Sequence, residues 1–200
     1  MKRIVLASSS PRRQQLLSQI GLDFSVVPSL VEESTVMGED PVQVAQGLAL
    51  SKAREVASRV GDSLVIGADT VVVLGDEILG KPGSPREAEL MLAKLQGRWH
   101  VVVTGVAVVD GSSGEFEVGH ECTRVHVRQL GEDEIAFYVS TGEPLDKAGA
   151  YGIQGLGALL VDRIEGCYHN VVGLPLARLC KILERFGVKL LIGEGRRTSG

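Results

Sequence analysis

One apolar stretch near the middle of the chain limits the folds that this sequence can adopt. Residues 64–74 read LVIGADTVVVL, and their apolar, mostly β-branched side chains fall on both alternating faces of a strand. A strand with one face in water alternates apolar with polar residues, whereas a strand covered on both faces does not. The stretch therefore predicts a central strand with other elements packed against both sides of the sheet.

A carboxylate stands in the middle of this predicted strand. Asp69 would lose its water there, and an ionised group in such a place needs a metal ion, a cation or several hydrogen-bond donors in return. This requirement makes Asp69 a candidate functional residue. Two other interpretations stay open, namely that Asp69 hydrogen-bonds a neighbouring turn or that the chain breaks between two strands at this point.

The rest of the chain alternates between strand and helix signals. Strands are predicted over residues 2–7, 24–27, 77–79, 100–110, 115–128 and 156–164, and helices over 11–20, 41–60, 85–95, 132–140 and 175–186. Thr104 and Gly105 are expected to interrupt the strand in which they lie. The two long strands on either side of the turn at 111–114 are expected to pair in antiparallel orientation.

Length and composition suit one large domain or two small lobes. The 200 residues are 44% hydrophobic, which is enough to bury a sizeable core. The formal net charge is −4, whereas a protein that binds nucleic acid by neutralising phosphates usually carries a basic surplus. The expected partner is therefore a small molecule and not a nucleic acid.

Cysteine spacing and the length of apolar runs bear on the compartment. Cys122, Cys167 and Cys180 are odd in number and far apart, so they predict neither a disulfide framework nor a metal knuckle. Free cysteines fit a reducing cytoplasm. No apolar run is long enough to span a membrane and no export signal is visible, so we expect neither export nor a membrane partner.

The junction between the first strand and the first helix has the composition of an anion site. Residues 7–13 read ASSSPRR, which places Ser10 at the helix cap and Pro11 at the first helical position. The N–H groups at a helix start attract anions, and Arg12 and Arg13 can add charged hydrogen bonds to phosphate oxygens. The same residues would also open an ordinary surface helix with two solvated arginines, and this stretch alone does not decide between the two.

Further cations and carboxylates lie at other predicted junctions. Lys52 falls on the apolar stripe of the helix over 41–60, where a lysine must reach either solvent or an anion. Lys81 follows the short strand over 77–79, and Glu33 lies in a polar loop. Cations near hydroxyl groups and strand ends suit a polyphosphate, and two carboxylates beside them suit a hard divalent ion such as Mg²⁺.

Several common nucleotide-binding and catalytic patterns are missing from the sequence. The Walker pattern GxxxxGK[ST] does not occur. The four histidines form neither a metal-binding pair nor a nucleophile triad, and they are expected to be structural or on the surface. The glycine-rich loop over 146–155 can bring its backbone close to a ligand, but it is no dinucleotide fingerprint because it opens no helix after a strand.

Six short blocks, taken together, resemble the Maf family of nucleoside triphosphate pyrophosphatases. They read SSSPRR at 8–13, EE at 32–33, SKA at 51–53, GADTV at 67–71, GKP at 80–82 and DKAGAYGIQG at 146–155, in the family's order. The resemblance implies an α/β fold with an elongated mixed central sheet and two lobes flanking a cleft, similar to the inosine triphosphate pyrophosphatases. It also implies a single catalytic domain over 1–190. The tail over 193–200 lacks apolar residues and is predicted to be disordered.

The resemblance implies hydrolysis of a nucleoside triphosphate to the monophosphate and pyrophosphate. Asp69 matches the family's catalytic base and metal partner, and Glu33 matches a metal-linked carboxylate. The positions that match polyphosphate-binding residues are Ser8, Arg12, Arg13, Lys52 and Lys81, and those associated with substrate choice are Arg12, Thr70 and Gln154. A base that deprotonates the attacking water, together with cations that neutralise the leaving pyrophosphate, is what this reaction needs. The implied cofactor is a divalent cation, either Mg²⁺, Mn²⁺ or Co²⁺.

The loop over 146–155 resembles that of the members that hydrolyse dTTP and UTP, and modified pyrimidine nucleotides are further candidates. Members of the family are commonly homodimers, which is the expected assembly here. A different class of function is also open, because the family name comes from inhibition of septum formation. The chain could then be a nucleotide-binding regulator of cell division whose hydrolysis is incidental.

Overall fold

The computed structural model of the chain describes residues 2–32 and 40–191, and within these residues one mixed sheet runs through the molecule. Its strands are β1 (Arg3–Leu6), β2 (Ser25–Val26), β3 (Ser63–Leu74), β4 (Glu77–Leu79), β5 (Trp99–Asp110), β6 (Phe116–Val127) and β7 (Val161–Glu165). The order is β2-β1-β3-β5-β6-β7, with β4 pairing β3 outside this path. β1 pairs with β2 and β3 in parallel, and the other pairs are antiparallel. The predicted α/β class and mixed sheet are confirmed.

Helices cover both faces of this sheet. They are α1 (Pro11–Gln19), α2 (Pro41–Val60), α3 (Pro85–Leu95), α4 (Glu132–Ser140), α5 (Tyr168–Val172) and α6 (Leu176–Arg185). Short 3₁₀ turns span Glu143–Asp146, Ala148–Ala150 and Gly155–Leu159. Among the described residues, no helix is both long and apolar enough to cross a bilayer.

The central strand β3 is covered on both faces, as its composition predicts. On one face Ile66 packs with Leu17 and Leu174, and on the other Val65 packs with side chains of α2. Beyond residue 70, Val72 joins a second cluster with Leu92 of α3. The face of β3 that carries Ile66 and Val72 therefore meets two separate groups of apolar side chains, one at each end of the strand.

Two glycines let α2 lie unusually close to the sheet. A Cβ atom added at Gly67 would lie 2.1 Å from the carbonyl oxygen of Ala49, and one added at Gly105 would lie 2.2 Å from that of Ala45. Only glycine leaves room for this approach of backbone to backbone. It holds one face of α2 against the middle of β3. The strand containing Thr104 and Gly105 is continuous from Trp99 to Asp110, so the predicted interruption is wrong, because the glycine serves helix packing and not a strand break.

One edge of β3 is open in the middle of the strand. β5 pairs along one side of it, from Leu64 to Val73. On the other side, β1 pairs with residues 63–66 and β4 with residues 72–74. Residues 67–71 lie between these two partners, so the pairing gap exposes the edge of an otherwise buried strand.

The segment over 156–164 departs from the sequence-based prediction of a strand. Residues 155–159 form a 3₁₀ turn, and β7 begins only at Val161. The side-chain carboxylate of Glu143 accepts hydrogen bonds from the backbone N–H groups of Leu156 and Gly157, which removes these donors from any sheet ladder. The second predicted strand is likewise shorter, because only Ser25 and Val26 pair with β1.

Candidate active site

A cleft opens at the pairing gap along β3. Its cavity of about 550 Å³ lies between the start of α1, the middle of β3 and the loop over 146–155. The predicted site residues that line it are Ser8, Arg12, Arg13, Lys52, Asp69, Thr70, Lys81 and Gln154. Glu33, the other predicted residue, lies outside the described residues, as does the tail over 193–200. The fold thus brings together residues that are up to 146 positions apart in the sequence, from Ser8 to Gln154.

A buried ion pair forms the floor of the cleft. The ammonium group of Lys52 donates to Oδ1 of Asp69 at 2.5 Å, and each residue is only 5% exposed. Lys52 reaches this point because α2 is pressed against β3 at Gly67. β3 continues without a break through Asp69, so the alternative of two separate strands is wrong. The cation that the buried carboxylate required is Lys52.

Arg13 is held by three different parts of the chain. Its Nε donates to the carbonyl oxygen of Gly173 at 2.8 Å, Nη1 to the hydroxyl of Ser8 at 3.3 Å and Nη2 to the hydroxyl of Thr70 at 3.1 Å. A planar guanidinium with fixed donor directions is pre-organised by such contacts. Arg13 therefore has a defined position beside the cleft and is not a solvated surface arginine.

The start of α1 differs in one detail from its predicted cap. Ser10 occupies the cap position and Pro11 the first turn, but the side chain of Ser10 makes no capping hydrogen bond. Instead, the hydroxyl of Ser8 accepts from the backbone N–H of Ser10 at 3.2 Å. Ser8, which is 8% exposed, thus links the helix start to Arg13 at the mouth of the cleft.

Arg12 contacts the glycine-rich loop at the rim of the cleft. Its Nη1 donates to Asp146 at 3.0 Å, and Lys147 donates to the other oxygen of the same carboxylate at 2.7 Å. Partial burial by itself would raise the pKa of Asp146, but the hydrogen bond from Lys147 and the charge of Arg12 outweigh it and lower the pKa. Asp146 is thus a carboxylate shared by two cations of the rim.

A second carboxylate fixes the far end of this loop. Glu143 accepts from the hydroxyl of Tyr138 at 2.9 Å as well as from the two N–H groups of the turn over 155–159. Burial raises its pKa, but these three donors and the nearby Lys147 lower it further than burial raises it. The hydroxyl of Tyr138 also accepts from the N–H of Gly152 at 3.2 Å. Glu143 and Tyr138 together hold the loop in one shape.

The loop is also anchored from below by a buried histidine. Nε2 of His100 lies 2.6 Å from the hydroxyl of Tyr151, with the two rings edge to face. Burial lowers the pKa of His100 to about 4, with a smaller contribution from the charge of His126. His100 is therefore neutral at physiological pH and supports the loop, in agreement with the prediction of a structural histidine.

Lys81 and Gln154 both line the cavity. Lys81 is exposed and follows β4, while Gln154 is partly buried and precedes the 3₁₀ turn that begins at Gly155. The N–H of Gly149 donates to the carbonyl oxygen of Gly80 at 3.0 Å, so the two segments are directly connected. The segment that precedes Lys81 is therefore held against the glycine-rich loop that contains Gln154.

Of the two predicted metal ligands, the structure describes Asp69. In the stretches 2–32 and 40–191 there is no group of three or more histidine, cysteine or acidic side chains that could hold a metal ion by itself. Mg²⁺ commonly binds to one or two carboxylates and completes its shell with water and substrate phosphates. One hard carboxylate at the floor of a cation-lined cleft fits such an ion, provided that the substrate supplies further oxygens.

Several residues that shape this site were not assigned a role from the sequence. They are Thr104, Asn170, Tyr138, Glu143, Asp146 and Lys147. Thr104 carried the same signal as Asp69, a polar side chain inside an apolar strand, and that signal could have identified it. Glu143 had no comparable signal, because an acidic residue after a surface helix is unremarkable until its partners are known.

Comparisons with known proteins identify the family to which the chain belongs. A family described as "Maf: Maf-like protein" matches residues 3–186. The dTTP/UTP pyrophosphatase of Pelotomaculum thermopropionicum is 53% identical over 191 residues, which cover 96% of this chain and 100% of that protein. The dTTP/UTP pyrophosphatase of Moorella thermoacetica is 55% identical over 188 residues, which cover 94% of this chain and 97% of that protein.

A solved structure supports the fold independently. The HAM1 protein from Coxiella burnetii superposes with a TM-score of 0.53 at 17% identity, covering 92% of this chain and 100% of that one. At this identity the likeness concerns the fold alone. Because the family match spans most of the chain, and because relatives of nearly equal length share more than half of its residues, the chain belongs to the Maf family.

Proposed function

We propose that this protein hydrolyses dTTP and UTP to the nucleoside monophosphate and pyrophosphate in the cleft along β3. The observation that carries the proposal is the Lys52–Asp69 pair, a carboxylate held on rigid elements at the floor of a cavity lined by cations. Near-full-length relatives that are named dTTP/UTP pyrophosphatase support the substrate class. The same names favour an enzyme over the alternative of a division regulator with incidental hydrolysis.

The reaction divides between the floor and the rim of the cleft. Asp69 is the base that accepts a proton from the water attacking the α-phosphorus. Lys52 has three N–H donors, so its ammonium can bridge Asp69 and a phosphate oxygen. Arg12, Arg13 and Lys81 neutralise the charge that accumulates on the departing pyrophosphate. General-base help is worth about 10² to 10⁴ in rate, and electrostatic stabilisation supplies a large part of the remainder.

A divalent cation is the proposed cofactor, with Asp69 and Glu33 as its protein ligands. Bound there, such an ion would screen the triphosphate and make its α-phosphorus more electrophilic. The single carboxylate at the floor and the oxygens of the substrate are the donor types that Mg²⁺ and Mn²⁺ prefer.

The glycine-rich loop is the proposed reader of the base. Gln154 offers both a donor and an acceptor, and the acceptor–donor–acceptor edge of uracil or thymine can meet such groups. Cytosine reverses part of this pattern and would leave buried polar groups unpaired. A purine has a second ring, which a pocket shaped for one ring excludes sterically. Hydrogen bonds that the loop makes with Tyr138, Glu143 and His100 hold it in the shape that this discrimination needs.

Isotope labelling in multiple-turnover assays tests the proposed bond cleavage. In ¹⁸O-labelled water with Mg²⁺, the label is expected in UMP or dTMP and not in released phosphate. Label in orthophosphate would mean attack at the γ-phosphorus and would refute the proposal. Binding of nucleotide with hardly any turnover, under Mg²⁺, Mn²⁺ and Co²⁺ alike, would support the regulator instead.

We further propose a homodimer and one catalytic domain over residues 1–190, as the family resemblance implies, and a cytoplasmic location, which the free cysteines support. Sedimentation equilibrium of the full chain tests the assembly, since a monomer mass at micromolar concentration would contradict it.

A further inference from the structure

A line of hydroxyl groups runs from Arg13 into the interior of the sheet. Nη2 of Arg13 lies 3.1 Å from the hydroxyl of Thr70, which lies 2.9 Å from the hydroxyl of Thr104. Thr104 in turn lies 3.0 Å from the backbone carbonyl oxygen of Asn170. Thr70 and Thr104 face each other across the β3–β5 ladder, so the register of the sheet fixes their contact.

We propose that Thr104 is a positioning residue for substrate binding, because it orients the hydroxyl of Thr70 and thereby Arg13. This inference rests on the function proposed above. Thr104 is completely buried and does not line the cavity, so it acts only through its neighbours.

The two ends of the line determine the direction of every proton in it. A guanidinium can only donate, and a carbonyl oxygen can only accept. Arg13 therefore donates to Thr70, Thr70 donates to Thr104, and Thr104 donates to Asn170. In this order each hydroxyl donates one hydrogen bond and accepts one, and no two donors face each other.

The order of donors changes what Thr70 can do in the cleft. Its proton points inward to Thr104, so the hydroxyl turns a lone pair toward Arg13 and has no proton to give to a nucleotide. Without Thr104, the hydroxyl of Thr70 could rotate and donate elsewhere, and Arg13 would lose an aligned acceptor. Thr70 thus affects substrate binding by holding Arg13. Thr104 ensures that Thr70 is the acceptor in its hydrogen bond with Arg13.

The backbone beyond Thr104 strengthens the same arrangement. The side-chain amide of Asn170, which is fully buried, donates to the carbonyl oxygen of Val102 at 2.9 Å and to the hydroxyl of Thr123 at 3.0 Å. Three residues later, the carbonyl oxygen of Gly173 accepts from Nε of Arg13. The segment over 170–173 therefore accepts one hydrogen bond from Thr104 and another from Arg13. This segment connects the two ends of the line of hydroxyl groups.

A double-mutant cycle tests the inference. Thr104→Val keeps the shape of the side chain and removes the hydroxyl, and we expect kcat/KM for UTP to fall about fivefold, the factor for one hydrogen bond of ordinary strength. Thr104→Ser restores the hydroxyl and should return to within about twofold of wild type. In a Thr70→Val background, Thr104→Val should add less than about twofold, because residues that act through one contact are not additive.

Thr123→Val is the matched control. It also removes a buried hydroxyl, which bonds to the side-chain amide of Asn170 and to the backbone of Cys167. Without it, the amide of Asn170 keeps its hydrogen bond to the carbonyl oxygen of Val102, so the backbone oxygen that accepts from Thr104 should stay in place. Thr123→Val should lower the melting temperature about as much as Thr104→Val while leaving kcat/KM within about twofold of wild type. If valine at 104 prevents folding, Thr104→Ala removes the same hydroxyl with less bulk and serves in the same cycle.

Three results would overturn the inference. They are an unchanged kcat/KM in Thr104→Val, a full additional loss of that variant in the Thr70→Val background, and an equal kinetic loss in Thr123→Val. The first and the third would mean that Thr104 only supports the core, and the second would mean that Thr104 affects binding by a route that does not pass through Thr70. A wild-type protein that does not convert UTP to UMP would instead refute the proposed function, so the two failures are distinguishable.

Discussion

The floor and the rim of the cleft both contain a cation paired with a carboxylate, but the two pairs differ in their surroundings. Lys52 and Asp69 project from a long helix and a central strand, and both are almost fully buried. At the rim, the side chain of Arg12 is 25% exposed and that of Asp146 is 61% exposed. Water screens the rim pair, whose contribution to stability is about 0–1 kcal/mol, whereas a change at the floor leaves a buried charge.

This difference assigns distinct tasks to the two regions. The floor is set by the folding of the chain, because α2 cannot pack on β3 without bringing Lys52 to Asp69. The rim depends on hydrogen bonds among loops, which can rearrange at small cost when a substrate arrives. Attack at the α-phosphorus needs a base in a fixed position, which Asp69 provides at the floor. The cations of the rim can adjust to the remaining phosphates.

Removing the negative charge of the floor should have the largest effect on activity. In Asp69→Asn, the amide cannot accept the proton of the attacking water, so we expect turnover of UTP to fall by at least about 10²-fold. The fold should remain, with lower stability, because the amide still accepts a hydrogen bond from Lys52 but no longer neutralises its buried charge. Initial rates and circular dichroism of the same preparation check both parts, and near-wild-type turnover would remove Asp69 from catalysis.

Removing the cation should weaken phosphate binding and also lower the stability of the fold. Lys52→Met leaves Asp69 buried without its partner, and we expect the free energy of unfolding to fall by about 3–5 kcal/mol in urea titrations. The double variant Lys52→Met with Asp69→Leu replaces both charges by apolar groups and should recover most of this loss while staying inactive. Equal instability of the single and the double variant would show that the pair is not the source of the effect.

The same comparison explains how much of the site could be predicted from the sequence. Asp69 and Lys52 were identifiable because each is a charged residue within an apolar pattern, and burying a charge is unfavourable unless it has a partner. Their contact was not, because it depends on α2 approaching β3 at Gly67 and Gly105, which is a property of tertiary packing. The expected interruption at Thr104 and Gly105 was wrong for this reason, since a glycine inside a strand has two meanings that only the neighbouring helix distinguishes.

The rim was harder to predict than the floor. The glycine content of residues 146–155 predicted a loop whose backbone can come close to a ligand, and residues of this loop do line the cavity. The 3₁₀ turn that follows was predicted as a strand, since its partner Glu143 lies more than ten residues away and carries no local signal. The predicted roles of the cavity-lining residues stay predictions until the variants are measured.

The buried support of the loop should respond to pH. His100 is uncharged in the folded protein because burial lowers its pKa to about 4, whereas the unfolded chain takes up a proton below about 6.5. Its contribution to stability is therefore complete above pH 6.5 and is lost as the pH falls toward 4, by roughly 3 kcal/mol in all. In His100→Gln, this part of the pH dependence should disappear from the unfolding free energy.

His120, on strand β6, provides the control for that measurement. Its Nδ1 lies 3.3 Å from the side-chain amide of Gln46, and it takes no part in the hydrogen bond between His100 and Tyr151. His120→Gln should keep the loss of stability between pH 6.5 and pH 4. An identical pH profile in wild type and His100→Gln would mean that other groups produce the acid sensitivity.

The smallest expected effect lies at the rim and concerns the choice of base. In Gln154→Ala, the loop keeps its support from Glu143 and Tyr138 but loses one donor and one acceptor toward the nucleotide. We expect kcat/KM for UTP and dTTP to fall by about tenfold, the value of one or two hydrogen bonds. We expect kcat/KM for CTP and GTP to rise, because the shorter side chain leaves no amide unpaired against cytosine and more room for a second ring. The preference for dTTP and UTP over the other nucleotides should therefore narrow by more than the best substrate slows. Glu143→Gln is the matched comparison, because it disturbs the shape of the loop without touching the side chain of Gln154. Equal losses for all four nucleotides in Gln154→Ala would mean that the residue supports the fold or the phosphates and does not read the base.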